Sequence, residues 1–208
     1  MNTAPPRLET AIRAHFAPLL RREGFTGSGR TFRRVVDEAI HVVNVQGFWF
    51  GGSFAVNLSV HPLGLPCVGG APADPKKITE EWCEFRHRLT EGPAGRIWSH
   101  DGTAEGMAAA VVDAAEVFEQ HGLAFFGKFY GPASILRALT PAELASESET
   151  LRLYSHGSTI RLAYTFARVR QLRGRHEEAA AFARWALSEG AQPPFEGYAE
   201  LRKLANDA

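Results

Sequence analysis

Between Arg30 and His61 the chain reads as three strands whose connections are too short for anything but antiparallel hairpins. RTFRRVV (30–36) and AIHVVNVQGFWF (39–50) are rich in β-branched and aromatic residues, which suit a pleated, half-buried surface. Gly51-Gly52 supplies a turn, and SFAVNLSVH (53–61) follows with strict alternation. Phe54, Val56, Leu58 and Val60 share one parity, and Ala55, Asn57, Ser59 and His61 share the other. That spacing predicts a sheet with one face on a core. WCEFRHRLT (82–90) alternates again and reads as a fourth strand, with Cys83, Phe85, His87 and Leu89 on one side and Glu84, Arg86 and Arg88 on the other.

Helical periods flank these strands. Leu8, Ile12, Phe16, Leu19 and Leu20 mark a first helix that ends near Gly24, and Pro18 is expected either to kink it or to start a second short turn as a first-position proline. Residues 62–79 are rich in proline and glycine and read as a loop. From Thr103 the period is helical again through Met107, Val111, Ala114 and Phe118, with Gly122 as the expected stop. Thr140-Pro141 opens a short helix by its capping residue and first-turn proline. The stretch 158–206 resembles a single tetratricopeptide-type hairpin, with Gly174 at the turn and Ala167, Ala179 and Ala186 letting two helices approach closely. A lone unit of this kind needs a body to pack on.

The charge balance narrows the function classes. The 208 residues carry 23 Lys+Arg and 23 Asp+Glu, which removes any global case for a nucleic-acid or anionic-membrane partner. The zero conceals a division: residues 1–36 sum to +5, residues 37–150 to −8 and residues 151–208 to +3. Such segmentation favours docking of one part of the chain on another. The N-terminal stretch lacks the apolar core of a signal peptide, and no apolar run approaches the roughly 20 residues of a membrane span. A cytoplasmic location is the expectation.

Local motifs give little chemistry. Gly24 to Thr31 approaches the phosphate-loop pattern, but a helix precedes it, a strand follows it, and Arg30 stands in place of lysine. His41, His61, His87, Cys67 and Cys83 show no metal-ligand pair spacing, and two isolated cysteines make no disulfide framework. There is no serine-nucleophile elbow, and Glu80-Glu81 and Glu177-Glu178 read as solvated helix surface. Arg30, Arg33 and Arg34 with Phe25 and Phe32 could stack on a single strand of nucleic acid, although a basic edge strand explains them more simply. No cofactor is expected.

Polar residues placed on strands are the most suggestive constellation. Gln46, Asn57, Ser59, His61, Arg86 and Arg88 lie mostly opposite the apolar parity, where amides and guanidinium groups could converge on a ligand or a partner's backbone. An ordinary solvent-facing surface, with arginines paired to Glu84 or Glu38 across strands, accounts for the same pattern.

The order of FAPLLRREGFTGSGRTFRR, VVNVQ, FAVNLSVH, CEFRHRL and GLAFFGKF resembles a bacterial family, domain of unknown function 4304, over about residues 8–140. Its motifs fall here on Gly24-Phe25, on Gln46, on Phe54, Val56, Asn57 and Leu58, and on Arg86, Arg88 and Leu89. Ser59 stands where family members often carry glycine. The resemblance implies the fold and brings no assigned activity.

The sequence therefore predicts an α+β domain over residues 1–145, with an antiparallel sheet of about four strands and helices on one face. A helical extension over residues 146–208 is expected to pack on it. The leading functional expectation is a non-catalytic protein that binds a protein partner through the polar sheet face or the helical tail. The alternative is a small-molecule binder or enzyme with its site among Gln46, Asn57, His61, Arg86 and Arg88.

Overall fold

Pro18 shapes the first element of the computed structural model, which describes residues 7–67, 70–92, 95–146, 151 and 158–206. Proline has no N–H to donate, and its ring crowds the carbonyl four residues back. The chain answers with a wider turn, and Pro18 stands in the first turn of the α-helical segment that follows it, the second of the two expected outcomes. Leu8–Ala11 is α-helical, Ile12–Phe16 is a π-turn closed by the Ala17 N–H on the Ile12 carbonyl, and Ala17–Arg22 resumes the α period. Together they form α1 (8–22), which buries Leu8, Ile12, Phe16 and Leu20. Gly24, at φ 81°, ends it in left-handed backbone.

The sheet has six strands: β1 Thr26–Ser28, β2 Thr31–Val36, β3 Ala39–Gly47, β4 Ser53–Pro62, β5 Phe85–Arg88 and β6 Trp98–Ser99. Their order is β1-β2-β3-β4-β5 with β6 also on β4, and every pairing is antiparallel. Four of these are the strands that the pattern predicts. The other two, of 3 and 2 residues, are too short to show a period. β3 stops at Gly47, so Phe48, Trp49 and Phe50 belong to the hairpin connection and not to the strand. The turn is closed by Phe48 N–H on the Ser53 carbonyl (3.2 Å) and Gly51 N–H on the Phe48 carbonyl (3.0 Å).

Helices cover the inner face. α2 (104–127) opens on Thr103, whose hydroxyl accepts from the Gly106 N–H at 2.9 Å. Gly122 does not stop it: a second π-turn, Phe118–Gly122, carries the helix on into Leu123–Gly127. The glycine is there for space, since a Cβ at position 122 would lie 2.5 Å from the Phe118 ring. α3 (Ile135–Ala138) and α4 (Pro141–Ser146) follow, the latter entered through reciprocal bonds between Thr140 and Glu143. α5 (Thr159–Leu172), α6 (His176–Ser188) and α7 (Tyr198–Asn206) complete the described chain. Ala167, Ala179 and Ala186 are fully buried where α5 meets α6, and Gly174 turns the chain at φ 70°. Phe85 on β5 lies 5.8 Å from Phe166 on α5 and 5.0 Å from Phe129, so sheet and C-terminal helices share one aromatic core.

The outer face is not uniformly polar. Its half nearest the β2–β3 turn carries Ile40 and Val42, which join Cys67, Ile78 and Cys83 in a second apolar cluster beneath residues 63–67 and 70–84. Cys83 is therefore on the opposite side from Phe85. Residues 80–82 form a 3-10 turn, and strand alternation begins only at Phe85. Ser59 and His61 lie under the same cover and are fully buried.

Candidate functional site

Where the cover ends, one polar row crosses four strands. Thr31 on β2 is the register partner of Asn44 on β3, Asn44 of Asn57 on β4, and Asn57 of Arg88 on β5. Register partners on one face stand close enough for their side chains to touch, and here they do. Asn44 Nδ2 donates to Thr31 Oγ1 at 3.1 Å, and Asn57 Nδ2 approaches Asn44 Oδ1 at 3.5 Å. Arg88 Nε donates to Asn57 Oδ1 at 3.4 Å. Gln46, two residues along β3, locks the row by accepting from Asn57 Nδ2 (3.0 Å) and Arg88 Nη2 (3.3 Å) through one oxygen.

The row runs directly into the β3–β4 hairpin tip. The Arg88 guanidinium sits 6.0 Å over the Phe48 ring. Beyond it Trp49 and Phe50 are 95% and 97% exposed, the most exposed of the large apolar side chains described. Gly51 and Gly52 both adopt positive φ, 71° and 69°, which makes this tip tight and throws the two aromatics outward.

Of the five residues singled out from sequence, Gln46, Asn57 and Arg88 converge. Arg86 pairs with Ser59 one row toward the covered half and takes no part in the hydrogen bonds of the row; its charge acts on Glu80. His61 is set apart altogether. Its Nε2 meets the Leu65 carbonyl at 2.8 Å, its Nδ1 is buried without a partner, and burial lowers its pKa. Asn44 and Thr31 belong to the row and escaped the sequence reading, although Asn44 shares the parity of Gln46.

The remaining polar groups have structural tasks. Arg30 pairs with Glu9 at 2.8 Å, and Arg33 donates to the Ile78 and Lys77 carbonyls, tying the covering segment down. Arg34 donates to the Glu23 carbonyl and stacks 4.5 Å over Phe25, which is buried with Phe32. None of the three arginines presents a stacking platform. Glu84 and Glu38 make no cross-strand pairs. Glu84 is gripped by Arg161, Arg168 and Thr165 of α5, and Glu38 by Arg137 and Arg173. The basic ends and acidic middle of the chain thus meet inside the fold.

Burial raises the thiol pKa of both Cys67 and Cys83, which keeps them protonated and poor nucleophiles. Among the described residues no cluster of three or more His, Cys, Asp or Glu could hold a metal ion, and no helix is long and apolar enough to cross a membrane. A pocket of about 410 Å³ opens beside Cys67, Ala73, Ile78 and Trp82, and another of about 280 Å³ lies among Cys67, Arg161, Tyr164 and Arg168. Neither is lined by the five residues.

Comparison with known proteins agrees with this arrangement at the level of family. No curated protein and no solved structure matches the chain. The family model described as Domain of unknown function (DUF4304) matches residues 16–127, from the π-turn of α1 through the sheet to the end of α2. That span contains the whole polar row and the hairpin tip and covers more than half of the sequence, so the chain belongs to the DUF4304 family.

Proposed function

We propose that this chain is a non-catalytic protein-binding module that engages its partner through the β3–β4 hairpin tip and the polar row beside it. The observation that carries the reading is the exposure of Trp49 and Phe50, 95% and 97%, next to a strip of hydrogen-bonding side chains. Two large aromatics standing in water stabilise nothing in the monomer, and aromatic anchors ringed by polar groups are the usual composition of an interface centre. The polar row supplies direction: its amides and guanidinium can orient a partner that the aromatics alone would hold without register.

The test compares wild type with Trp49→Ser/Phe50→Ser and with Glu116→Ala, on the exposed side of α2, as baits in native lysate. The expected outcome is a reproducible partner that is retained by wild type and Glu116→Ala and lost by the tip variant. A partner captured equally by all three, or none captured by wild type, would overturn the reading.

A further inference from the structure

Resting on that reading, we infer that the partner presents a carboxylate, as part of an acidic and apolar peptide segment, and that Arg88 receives it while Trp49 and Phe50 pack on the apolar neighbours. The argument starts from what surrounds Arg88. A guanidinium offers five N–H donors, and a half-buried one normally finds a carboxylate or a set of backbone carbonyls. Most of the other arginines follow it: Arg30 pairs with Glu9, Arg137 and Arg173 with Glu38, and Arg161 and Arg168 with Glu84, while Arg86 acts on Glu80 through its charge alone. Arg88 forms no ion pair among the described residues. Its acceptors are the neutral amide oxygens of Asn57 and Gln46, bonded through Nε and Nη2 at 3.4 and 3.3 Å.

Those two amides fix the orientation of the guanidinium and leave its charge uncompensated. Nη1 donates to no other side chain or carbonyl among the described residues, and together with the second N–H of Nη2 it is open to a bidentate acceptor. Gly95 adds a second sign of a held side chain. A Cβ there would stand 2.6 to 2.9 Å from the Cδ, Cγ and Cβ of Arg88, so the loop is shaped around the arginine stem. An ordered, partly dehydrated, unpaired cation beside an exposed aromatic pair is complementary to a carboxylate flanked by apolar side chains. A peptide satisfies both halves of the surface, whereas a free anion leaves the tip uncovered.

The experiment pans a phage-displayed library of random linear 12-residue peptides on the full chain and measures enriched synthetic peptides by fluorescence anisotropy. The expected winners combine Asp or Glu with apolar residues. Their binding falls about tenfold or more with Arg88→Gln, is only partly kept by Arg88→Lys, which retains the charge but not the planar fork, and weakens with added NaCl. Arg88→Glu is expected to prefer the same peptide with its acid changed to Lys, a swap that a merely structural arginine would not produce. Winners without an acid, or equal binding by Arg88→Gln, overturn the carboxylate assignment. If such winners still need Trp49 and Phe50, the protein-binding reading stands without it. Absence of any tip-dependent peptide overturns both, as does tip-dependent binding to phosphatidylserine vesicles in place of peptides.

Discussion

Arg88 and Asn57 face each other across β5 and β4, and the guanidinium Nε reaches the Asn57 amide oxygen at 3.4 Å. The pair joins the sheet's polar row to the hairpin tip, because the same guanidinium lies 6.0 Å over Phe48. Its neighbour across the following loop is Gly95, where a Cβ would meet the arginine stem at 2.6 Å.

Gly95→Ala is therefore expected to push Arg88 out of its place on Asn57 and Gln46. Binding of an acidic peptide should fall about as far as it does in Arg88→Ala. In an Arg88→Ala background the two closest clash atoms, Cδ and Cγ, are gone and only the Cβ at 2.9 Å remains, so Gly95→Ala should cost much less. A double-mutant cycle on peptide affinity measures this coupling directly. Additive effects of the two substitutions would show that Gly95 does not act through Arg88.

Asn57→Asp tests the charge in the opposite way. The substitution is nearly isosteric and gives Arg88 the intramolecular carboxylate that it lacks. The new ion pair offsets the loss of the Nδ2 that donates to Gln46 and Asn44, so stability should stay within about 1 kcal/mol of wild type. Binding of an acidic peptide should weaken, because the guanidinium is already neutralised. Urea unfolding and anisotropy on the same preparation separate the two effects.

Much of this site was legible in the strands. Parity in SFAVNLSVH and CEFRHRLT places Asn57 with Arg88, and the hairpin brings Gln46 to both, because a period of two leaves no freedom in which side chains share a face. His61 obeys the same parity and is nevertheless buried. What removes it from the surface is the segment of residues 63–67 and 70–84, whose sequence carries no period that could announce a cover. One signal of that cover was present: Ile40 and Val42 on one parity and Ala39 and Val43 on the other are all apolar, as expected of a strand buried on both faces. Glu84 shows the other limit, since its partners Arg161 and Arg168 lie on a helix that no local pattern connects to it.

His41 makes stability depend on acid. It is fully buried on the inner face, stacked 4.7 Å from Phe126, with Nδ1 accepting from Arg34 Nε at 3.2 Å. Burial, with the Arg34 charge adding to it, lowers its pKa to about 3 from an ordinary 6.5. The folded state thus holds the neutral ring while the unfolded chain protonates near 6.5. The contribution is complete above that pH and is lost progressively as pH falls from 6.5 towards 3, to a total of roughly 3–5 kcal/mol. His41→Phe should unfold more readily than wild type at neutral pH, since Arg34 loses an acceptor, yet show a shallower decline over the same window. Urea titrations at successive pH values test this; parallel declines would assign the acid sensitivity to other groups, such as buried His61, whose pKa is also lowered by burial.

Arg170 ties the C-terminal helices to the end of α3. Its side chain is fully buried and donates to the carbonyls of Leu136, Arg137 and Leu139, which end α3, while Nε meets Glu178 Oε2 at 3.1 Å. Desolvation brings its pKa down to about 10, still well above neutrality, so the guanidinium is charged under physiological conditions. Arg170→Met keeps most of the volume but takes the donor from the Leu139 carbonyl and leaves those of Leu136 and Arg137 with single bonds from Arg173 and Arg175, for an expected loss of about 2–4 kcal/mol. Arg170→Lys should recover only part of it, because one ammonium cannot span the carbonyls that the planar fork reaches. Peptide binding at the hairpin tip should be unchanged in whatever fraction remains folded. A variant as stable as wild type would show that α3 is held by its apolar contacts through Leu136 and Leu139 and not by this arginine.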